Sequence, residues 1–252
     1  MDNYASIESQ LGEAVCEIED TEEMFWLKES DDYDSLVSYG NKLAQQYRFK
    51  EAINAYRKAE LIKSTDPMLY VRMGGSYLTL FLFDDAIVCY EKSLALGLNI
   101  KNVAYSIGVY HYLQKDYVKA SEFFTKVLPS NDEMTIAVIY WNALSCLRAG
   151  IPDSLLQTYN KDMKVGHHKS YETAVKVMLS ELSVDDAICI VESSSNDLDY
   201  VVSIYGIAVY CESIGEREKS VSLYDKLLTR KSVWPCVSYL AAYNDLNNTA
   251  NM

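Results

Sequence analysis

The sequence predicts an all-α fold, a right-handed α-solenoid (superhelix) of antiparallel helix pairs with about 13–14 helices. Three glycines, Gly40, Gly74 and Gly108, stand at intervals of 34 residues. An alanine and then an aromatic residue follow each glycine at constant distances. Hydrophobic residues make up 49% of the chain and prolines number only four, which favours packed helices over long loops.

When the three repeats are aligned, the residues that share a position form a column. These columns indicate how two helices pack within each unit. A period of 34 residues with helical apolar spacing accommodates two helices of about 14 residues each and short turns. Glycine and alanine suit a close helix crossing, and the aromatic ring four residues after the alanine fills the gap beside it. A second aromatic residue follows each glycine by nine positions. The columns after the glycines are Ala52, Ala86 and Ala120; Tyr56, Tyr90 and Phe124; and Phe49, Phe83 and Tyr117.

Helix-start signals fall at the boundaries that the period sets. Asp66 precedes Pro67, so a capping carboxylate stands directly before a proline at the first helical position. Residues 130–133 read Ser-Asn-Asp-Glu and have the spacing of a capping box. We therefore expect first helices to begin at these two places.

These columns resemble the tetratricopeptide repeat (TPR) family, closely over about residues 33–130 and more loosely to about residue 234. Between the two looser repeats, residues 168–198 form a shorter pair in which Ala187 takes the place of the small second-helix residue. The looser repeats share an inter-helix glycine, a small residue seven positions before it and an aromatic residue nine positions after it: Gly150 with Ala143 and Tyr159, and Gly215 with Ala208 and Tyr224.

The first residues form an acidic arm. Residues 1–34 hold 12 of the 36 acidic residues and one of the 23 basic ones, so most of the formal net charge of −13 lies here. Ile7, Leu11, Val15 (or Ala14) and Ile18 form an apolar stripe among glutamates, which predicts an amphipathic helix over residues 5–20.

The other end of the chain has the pattern of a terminal helix. Val237, Leu240 and Ala241 stand at helical spacing before a polar tail, which predicts a capping helix with one apolar face against the last repeat. The predicted segments are an acidic N-terminal helix or arm (1–32), three regular repeats (33–134), three degenerate helix pairs (135–234), and a C-terminal capping helix with its tail (235–252).

The resemblance implies that first helices line a concave face, with exposed residues at fixed offsets from the small residue. Those positions are apolar and rich in tyrosine, which gives a large rigid contact with a hydrogen-bonding tip. An exposed strip of this kind predicts a peptide-binding groove. The alternative is that the same side chains pack on adjacent repeats. The predicted groove residues are Asn41, Val71, Tyr105, Val109, Tyr112, Tyr140, Leu144, Arg148 and Tyr205.

The arm offers a second apolar feature. Met24, Phe25, Trp26 and Leu27 stand between acidic runs, where they can dock in a groove. In the alternative, residues 25–27 pack on the first repeat as an N-terminal lid. The sequence leaves both interpretations open.

Residues for catalysis, metal binding or cofactor binding do not form a recognisable constellation. The histidines are His111, His167 and His168, and no HExxH motif or carboxylate at ligand spacing accompanies them. His111 is expected to face a hairpin core. Gly74-Gly75 falls inside a helix and lacks the GK[ST] of a phosphate loop. We therefore predict neither enzyme activity, nor a metal site, nor a cofactor.

The predicted function is a non-enzymatic scaffold, adaptor or chaperone that binds a peptide segment of a partner protein. A carboxylate-clamp co-chaperone is disfavoured, because Val37 and Arg72 occupy two positions where that clamp uses lysine and asparagine. The rival hypothesis is a self-assembling repeat protein that forms a homodimer through the arm or an end helix. A weaker resemblance links the chain to small bacterial secretion chaperones. The absence of a basic surface, a signal sequence or an apolar span predicts a cytoplasmic protein that binds neither nucleic acid nor membranes.

Overall fold

A computed structural model describes residues 4–8 and 14–249 of the chain. Thirteen α-helices account for most of these described residues, and they pack mainly as antiparallel neighbours. The predicted all-α, TPR-like class is therefore confirmed. The chain divides into two compact units, Met1–Val103 and Ala104–Met252, called unit 1 and unit 2 below.

Unit 1 consists of a short N-terminal helix followed by two regular helix pairs. Asp66 caps the second pair as predicted, because its carboxylate accepts a hydrogen bond from the Met68 backbone N–H at 2.8 Å. The helices are α1 (Glu22–Lys28), the pair α2 (Tyr33–Gln45) and α3 (Phe49–Ile62), and the pair α4 (Pro67–Thr79) and α5 (Phe83–Ala95).

Two short strands precede α1, and the prediction of a helix over residues 5–20 is wrong. Strand β1 (Tyr4–Glu8) pairs antiparallel with β2 (Ala14–Glu19), and the register places Ala5 opposite Ile18. Gly12 interrupts the segment in sequence, and a glycine inside a helix costs about 0.5–1 kcal/mol relative to alanine. Because apolar residues also recur at every second position, the strand pattern prevails over the helical stripe.

Unit 2 contains one regular helix pair and a less regular set of helices. Its first long helix begins after Asn131, whose side chain accepts a hydrogen bond from Met134 N at 2.8 Å, so the cap lies one residue after the expected Ser130. The helices are α6 (Ala104–Leu113), α7 (Tyr117–Phe124), α8 (Asp132–Ala149), α9 (Lys169–Met178), α10 (Val184–Glu192), α11 (Asp197–Ser213), α12 (Arg217–Leu228) and α13 (Val237–Thr249).

The glycine and aromatic columns meet inside each regular pair, as the sequence predicts. A Cβ atom added at Gly74 would lie 2.6 Å from the ring of Tyr90, and one added at Gly108 would lie 2.7 Å from Phe124. Gly40 stands in the same close relation to Tyr56. Only glycine allows the aromatic ring of the second helix to lie against the backbone of the first.

A recurring turn closes the first helix of every pair. One residue adopts a positive φ, and the N–H of the next residue donates to the carbonyl five residues earlier, as in the bond from Arg48 N to Leu43 O at 2.9 Å. Only two of the six turn residues are glycine, so sequence alone hides the motif. The turn residues are Tyr47, Phe81, Lys115, Gly150, Ser180 and Gly215.

One predicted pair lacks its second helix. After the turn at Gly150, residues 151–165 contain only a short 3₁₀ turn at Leu156–Thr158. Pro152 follows two residues after the glycine and lacks the N–H that a helix interior needs. Tyr159, aligned by sequence with the second-helix aromatics, instead lies in coil and donates to Glu172 on α9 at 2.7 Å. The prediction of a helix pair around Gly150 is therefore wrong.

The terminal helix α13 packs more extensively than a cap on the last repeat. It contacts α11 and α12, as predicted, and also α6. The Asn244 side-chain amide donates to the carbonyl of Leu113 at 2.7 Å, which ties α13 to the end of α6. First helices α6, α8 and α11 and the terminal helix α13 thus share one core within unit 2.

Candidate functional site

In unit 1 the predicted groove positions remain partly accessible. Asn41 on α2 and Val71 on α4 are half-buried. Gly75 presents open space, because a Cβ atom added there would meet no neighbouring atom within 4 Å. We call the set Asn41, Ala44, Val71, Gly75 and Thr79 the open face.

Two polar side chains adjoin the open face and have unused hydrogen-bonding capacity. The Asn41 Oδ1 atom accepts a hydrogen bond from the Tyr56 hydroxyl at 2.9 Å, which directs the Asn41 amide N–H groups away from Tyr56. Arg72 is half-buried and forms no ion pair with any described residue. Burial raises the pKa of Tyr56 to about 12, and the positive charge of nearby Arg72 opposes part of that rise.

In unit 2 most of the predicted groove residues are buried, so their expected exposure is wrong. Tyr140, Leu144 and Tyr205 have no exposed surface, and Val109 and Tyr112 are 3% and 2% exposed. The physical reason is the proximity of α6, α8, α11 and α13, which fills the space where a groove was expected. We call these five residues the closed face. Their role in partner binding remains a prediction.

The tyrosines of the closed face are hydrogen-bonded to one another and to neighbouring helices. The Tyr112 and Tyr205 hydroxyls lie 2.8 Å apart, and the Tyr140 hydroxyl donates to the carbonyl of Val202 at 2.8 Å. Burial raises the pKa of Tyr112, Tyr140 and Tyr205 well above the usual range. Each hydroxyl therefore stays protonated and serves as a structural hydrogen-bonding group.

Arg148 is also part of this interior rather than of an exposed groove. Its guanidinium lies 2.8 Å from the Asp245 carboxylate on α13 and 3.1 Å from the Glu212 carboxylate, and it donates to the Tyr224 hydroxyl at 2.8 Å. Tyr205 donates to the same Asp245 carboxylate at 3.1 Å. The charged pair between Arg148 and Asp245 fixes α13 against α8 and α11.

Tyr105 keeps partial exposure at the start of α6. Its ring packs edge-on against Phe124, with centroids 5.8 Å apart. Tyr105 is thus the predicted tyrosine of unit 2 that retains contact with solvent.

The acidic arm contacts the first repeat through Met24 and through two acidic residues, Asp20 and Glu23, that the sequence did not single out. Met24 is 1% exposed and accepts a hydrogen bond from Gln46, whereas Trp26 is 75% exposed. Asp20 pairs with the Arg48 guanidinium, and Glu23 lies 2.8 Å from the Lys42 ammonium. Because side chains two positions apart lie on different sides of a helix, burial of Met24 turns Trp26 outward. The lid interpretation is therefore wrong for Trp26 and also for Phe25, which is 38% exposed, and Met24 packs on the first repeat instead.

Chemistry-bearing residues are dispersed in the part of the chain that the structure describes. No group of three or more His, Cys, Asp or Glu side chains there could hold a metal ion. His111 stacks on Phe123 with ring centroids 5.2 Å apart, as expected for a residue of the hairpin core, and burial lowers its pKa. Within the same residues, no helix has the length and apolar character to cross a bilayer.

Two features of unit 2 were missed by sequence reasoning. Asp245 was not singled out, although its spacing of four residues from Ala241 places it on the apolar side of α13. The absence of a second helix after Gly150 was also missed. Pro152 was the available signal for it, because a proline so close to the turn disfavours a second helix.

Comparisons with known proteins find only low similarity. No protein-family model matches the sequence, and a search of curated proteins finds no significant relative. Among solved structures, the chain is similar to YrrB, described as a TPR protein with an unusual peptide-binding site, at 14% identity and a TM-score of 0.47 over 90% of this chain and 98% of that one. It is also similar to a chain of the Naa15/Naa10 complex bound to HypK-THB, at 18% identity and a TM-score of 0.35 over 88% of this chain and 35% of that one.

The features of this chain itself determine its class. The 34-residue period, the contact of each glycine with its aromatic partner, and the recurring turn all belong to one repeated helical hairpin. The described residues therefore have a TPR-like helical-hairpin repeat fold.

Proposed function

We propose that this protein is an interaction scaffold that binds an extended segment of a partner protein on the open face of unit 1. The observation that supports this function is the open space at Gly75, between the half-buried side chains of Val71 and Thr79. The equivalent residues of unit 2 are mostly buried. TPR-like folds offer such first-helix faces, and accessible apolar strips are typical of protein-binding surfaces.

The polar groups beside the open face suggest the chemistry of the bound segment. The free N–H groups of Asn41 suit a backbone carbonyl of an extended peptide. The guanidinium of Arg72 lowers the pKa of the nearby Asp66 carboxyl but forms no ion pair with it, so its hydrogen bonds remain available to a carboxylate of the ligand. The proposed ligand is therefore an extended segment with small apolar residues and at least one acidic side chain.

A matched pair of substitutions tests this function. Gly75→Trp fills the open face, and Val88→Trp places the same side chain on the exposed surface of α5, where Val88 is 59% exposed. Partner proteins captured by the wild-type chain should be lost with Gly75→Trp and retained with Val88→Trp, as measured by quantitative mass spectrometry. Unchanged capture by a correctly folded Gly75→Trp protein would contradict the proposal.

Self-assembly through the arm is the second candidate, supported by the exposure of the Trp26 side chain at 75%. An indole ring so exposed on a seven-residue helix is a favourable contact for a second copy of the chain. Sedimentation velocity should show a concentration-dependent dimer that Trp26→Ser abolishes. A monomer at all concentrations would eliminate this candidate.

A further inference from the structure

A pocket with a volume of about 160 Å³ lies between α1, α2 and α3 in unit 1. Its inner wall consists of buried side chains of α2 and α3, whereas longer polar side chains of α1 and α3 form its rim. The open face contributes no residue to it, so this pocket is a separate feature of unit 1. The inner wall is Leu36, Tyr39 and Ala55, and the rim is Lys28, Glu51, Asn54 and Lys58.

The Tyr39 hydroxyl is a hydrogen-bond donor that the fold leaves unused. Its side chain is 7% exposed, and the hydroxyl has no hydrogen-bond partner among the described residues. The hydroxyl oxygen nevertheless retains accessible surface, so a ligand in the pocket can reach it. Burial and the nearby Asp20 carboxylate raise the pKa of Tyr39, which keeps the hydroxyl protonated and able to donate. A largely buried donor without an acceptor is costly, so an acceptor supplied by a ligand is favoured.

Two lysines at the rim carry positive charges without partners. Lys28 ends α1 and Lys58 lies on α3; both are exposed, and neither forms an ion pair with a described residue. By contrast, Lys42 in the same unit lies 2.8 Å from the Glu23 carboxylate. Asn54, one turn before Lys58 on α3, is also exposed and adds amide N–H donors. The rim therefore presents several accessible donors to an anion.

The carboxylate at the rim, Glu51, is neutralised by Arg48 rather than by these lysines. The Arg48 Nε atom donates to Glu51 Oε1 at 2.7 Å, and a terminal nitrogen of the same guanidinium donates to Oε2 at 2.6 Å. A bidentate pair of this kind occupies both carboxylate oxygens. Asp20 pairs with the other terminal nitrogen of Arg48. Because Glu51 is occupied in this way, the positive charges of Lys28 and Lys58 remain available to a ligand.

We infer that this pocket binds a carboxylate attached to an apolar group about as large as a benzene ring. The carboxylate accepts a hydrogen bond from Tyr39 and pairs with Lys28 and Lys58, while the apolar group packs against Leu36 and Ala55. The volume fits, because an apolar cavity of about 150 Å³ suffices to bind benzene. A few polar groups that converge on an apolar wall are typical of small-ligand sites. The carboxylate belongs either to a free aromatic acid or to the C-terminal aromatic residue of a partner protein.

Fluorine NMR with 4-fluorobenzoate tests the site directly. The fluorine signal should shift saturably when the full chain is added, with a Kd of roughly 1 mM, as expected for a ligand of so few atoms. The neutral isostere 4-fluorobenzamide should bind at least roughly tenfold more weakly, because it lacks the charge that the lysines recognise. The absence of a saturable shift up to roughly 20 mM, or equal binding of the two compounds, overturns the inference.

Variants of the full chain locate the binding. Lys28→Gln combined with Lys58→Gln should weaken 4-fluorobenzoate binding at least roughly tenfold, and Tyr39→Phe should weaken it roughly threefold. These changes remove exposed charges or a single hydroxyl without a partner, so the variants should fold. The matched control is Lys50→Gln combined with Lys101→Gln, at two exposed lysines of unit 1 outside the pocket, and it should leave binding unchanged. Equal losses in the two double variants overturn the inference.

A second probe identifies the source of the carboxylate. A short peptide that ends in 4-fluorophenylalanine with a free carboxylate is compared with 4-fluorobenzoate and with the same peptide amidated at its C-terminus. Tighter binding of the free-acid peptide than of 4-fluorobenzoate supports a protein C-terminus as the ligand, and weaker binding supports a free acid. Gly75→Trp should bind both probes as the wild-type chain does, because the open face is a separate site. Loss of 4-fluorobenzoate binding in Gly75→Trp would contradict the assignment to this pocket.

Discussion

The open face of unit 1 and the closed face of unit 2 occupy equivalent positions of the same repeat and have different environments. Around Gly75 in unit 1 there is space for a ligand, whereas Tyr140 and Tyr205 in unit 2 have no exposed surface. The residues of unit 2 are larger and more apolar, which favours burial. The difference shows that a repeat column predicts which side of a helix faces inward, and that the neighbouring helices decide whether that side binds a ligand or forms a core.

The closed face depends on α13, which supplies Asp245 as well as apolar surface. Removal of Asp245 leaves the poorly solvated Arg148 guanidinium with only the more exposed Glu212 carboxylate as its charged partner. Full burial of a large apolar side chain contributes roughly 1.5–3 kcal/mol, so several tyrosines together stabilise unit 2 considerably. The open face has no equivalent source of stability and should tolerate substitution better.

The largest effect is expected from Asp245→Ala. Asp245 is 9% exposed and pairs with Arg148, so its loss should lower the free energy of unfolding by about 3–5 kcal/mol. Chemical denaturation followed by circular dichroism measures this change. Asp225→Ala, at an exposed position of α12, is the control and should change stability by less than about 0.5 kcal/mol. Equal effects of the two variants would show that α13 is not fixed by Asp245.

The second-largest effect is expected from alkaline pH, which should destabilise the closed face. Tyr112, Tyr140 and Tyr205 have folded-state pKa values above the unfolded value of 10.0, because burial disfavours the phenolate. The unfolded chain therefore releases these protons first, and stability that is present below the unfolded pKa is lost as the pH rises above it. The expected slope is about 1.4 kcal/mol per pH unit for each tyrosine.

Urea denaturation from about pH 9 to about pH 11, on either side of the pKa of an unperturbed tyrosine, measures this slope. Replacement of all three closed-face tyrosines by phenylalanine should reduce it. An unchanged slope would argue against their burial.

Alanine substitutions at two adjacent glycines of α4 should change the stability of unit 1 by smaller amounts and in opposite directions. An alanine at Gly74 meets the buried ring of Tyr90, so Gly74→Ala should destabilise unit 1 by about 1–3 kcal/mol. Gly75→Ala meets no atom within 4 Å and should stabilise by up to about 1 kcal/mol, since alanine favours helix. Thermal denaturation distinguishes the pair. Comparable destabilisation by both would mean that the open face is packed.

The sequence predicts the repeated contacts well because they depend on local periodicity. Gly74 and Tyr90 lie 16 residues apart, as do the equivalent residues of every regular pair, and short-range spacing is enough to place them together. Contacts between distant segments cannot be derived in this way. The hydrogen bond between Asn244 and Leu113 spans 131 residues, and no period relates those positions. The exposure of Tyr112 was therefore misjudged, although its helix and the inward side of that helix were correctly predicted.

Hydroxyl-radical footprinting of the intact chain tests the central claim most directly, because it reads the accessibility of individual tyrosines. Trp26, which is 75% exposed, and the half-buried Tyr110 serve as internal references within the same sample. Oxidation of the closed-face tyrosines should proceed at roughly a tenth of the Tyr110 rate or less, because the rate follows the exposed surface of each ring. These tyrosines are Tyr112, Tyr140 and Tyr205. Oxidation of these three tyrosines at the Tyr110 rate would contradict the claim that unit 2 is closed.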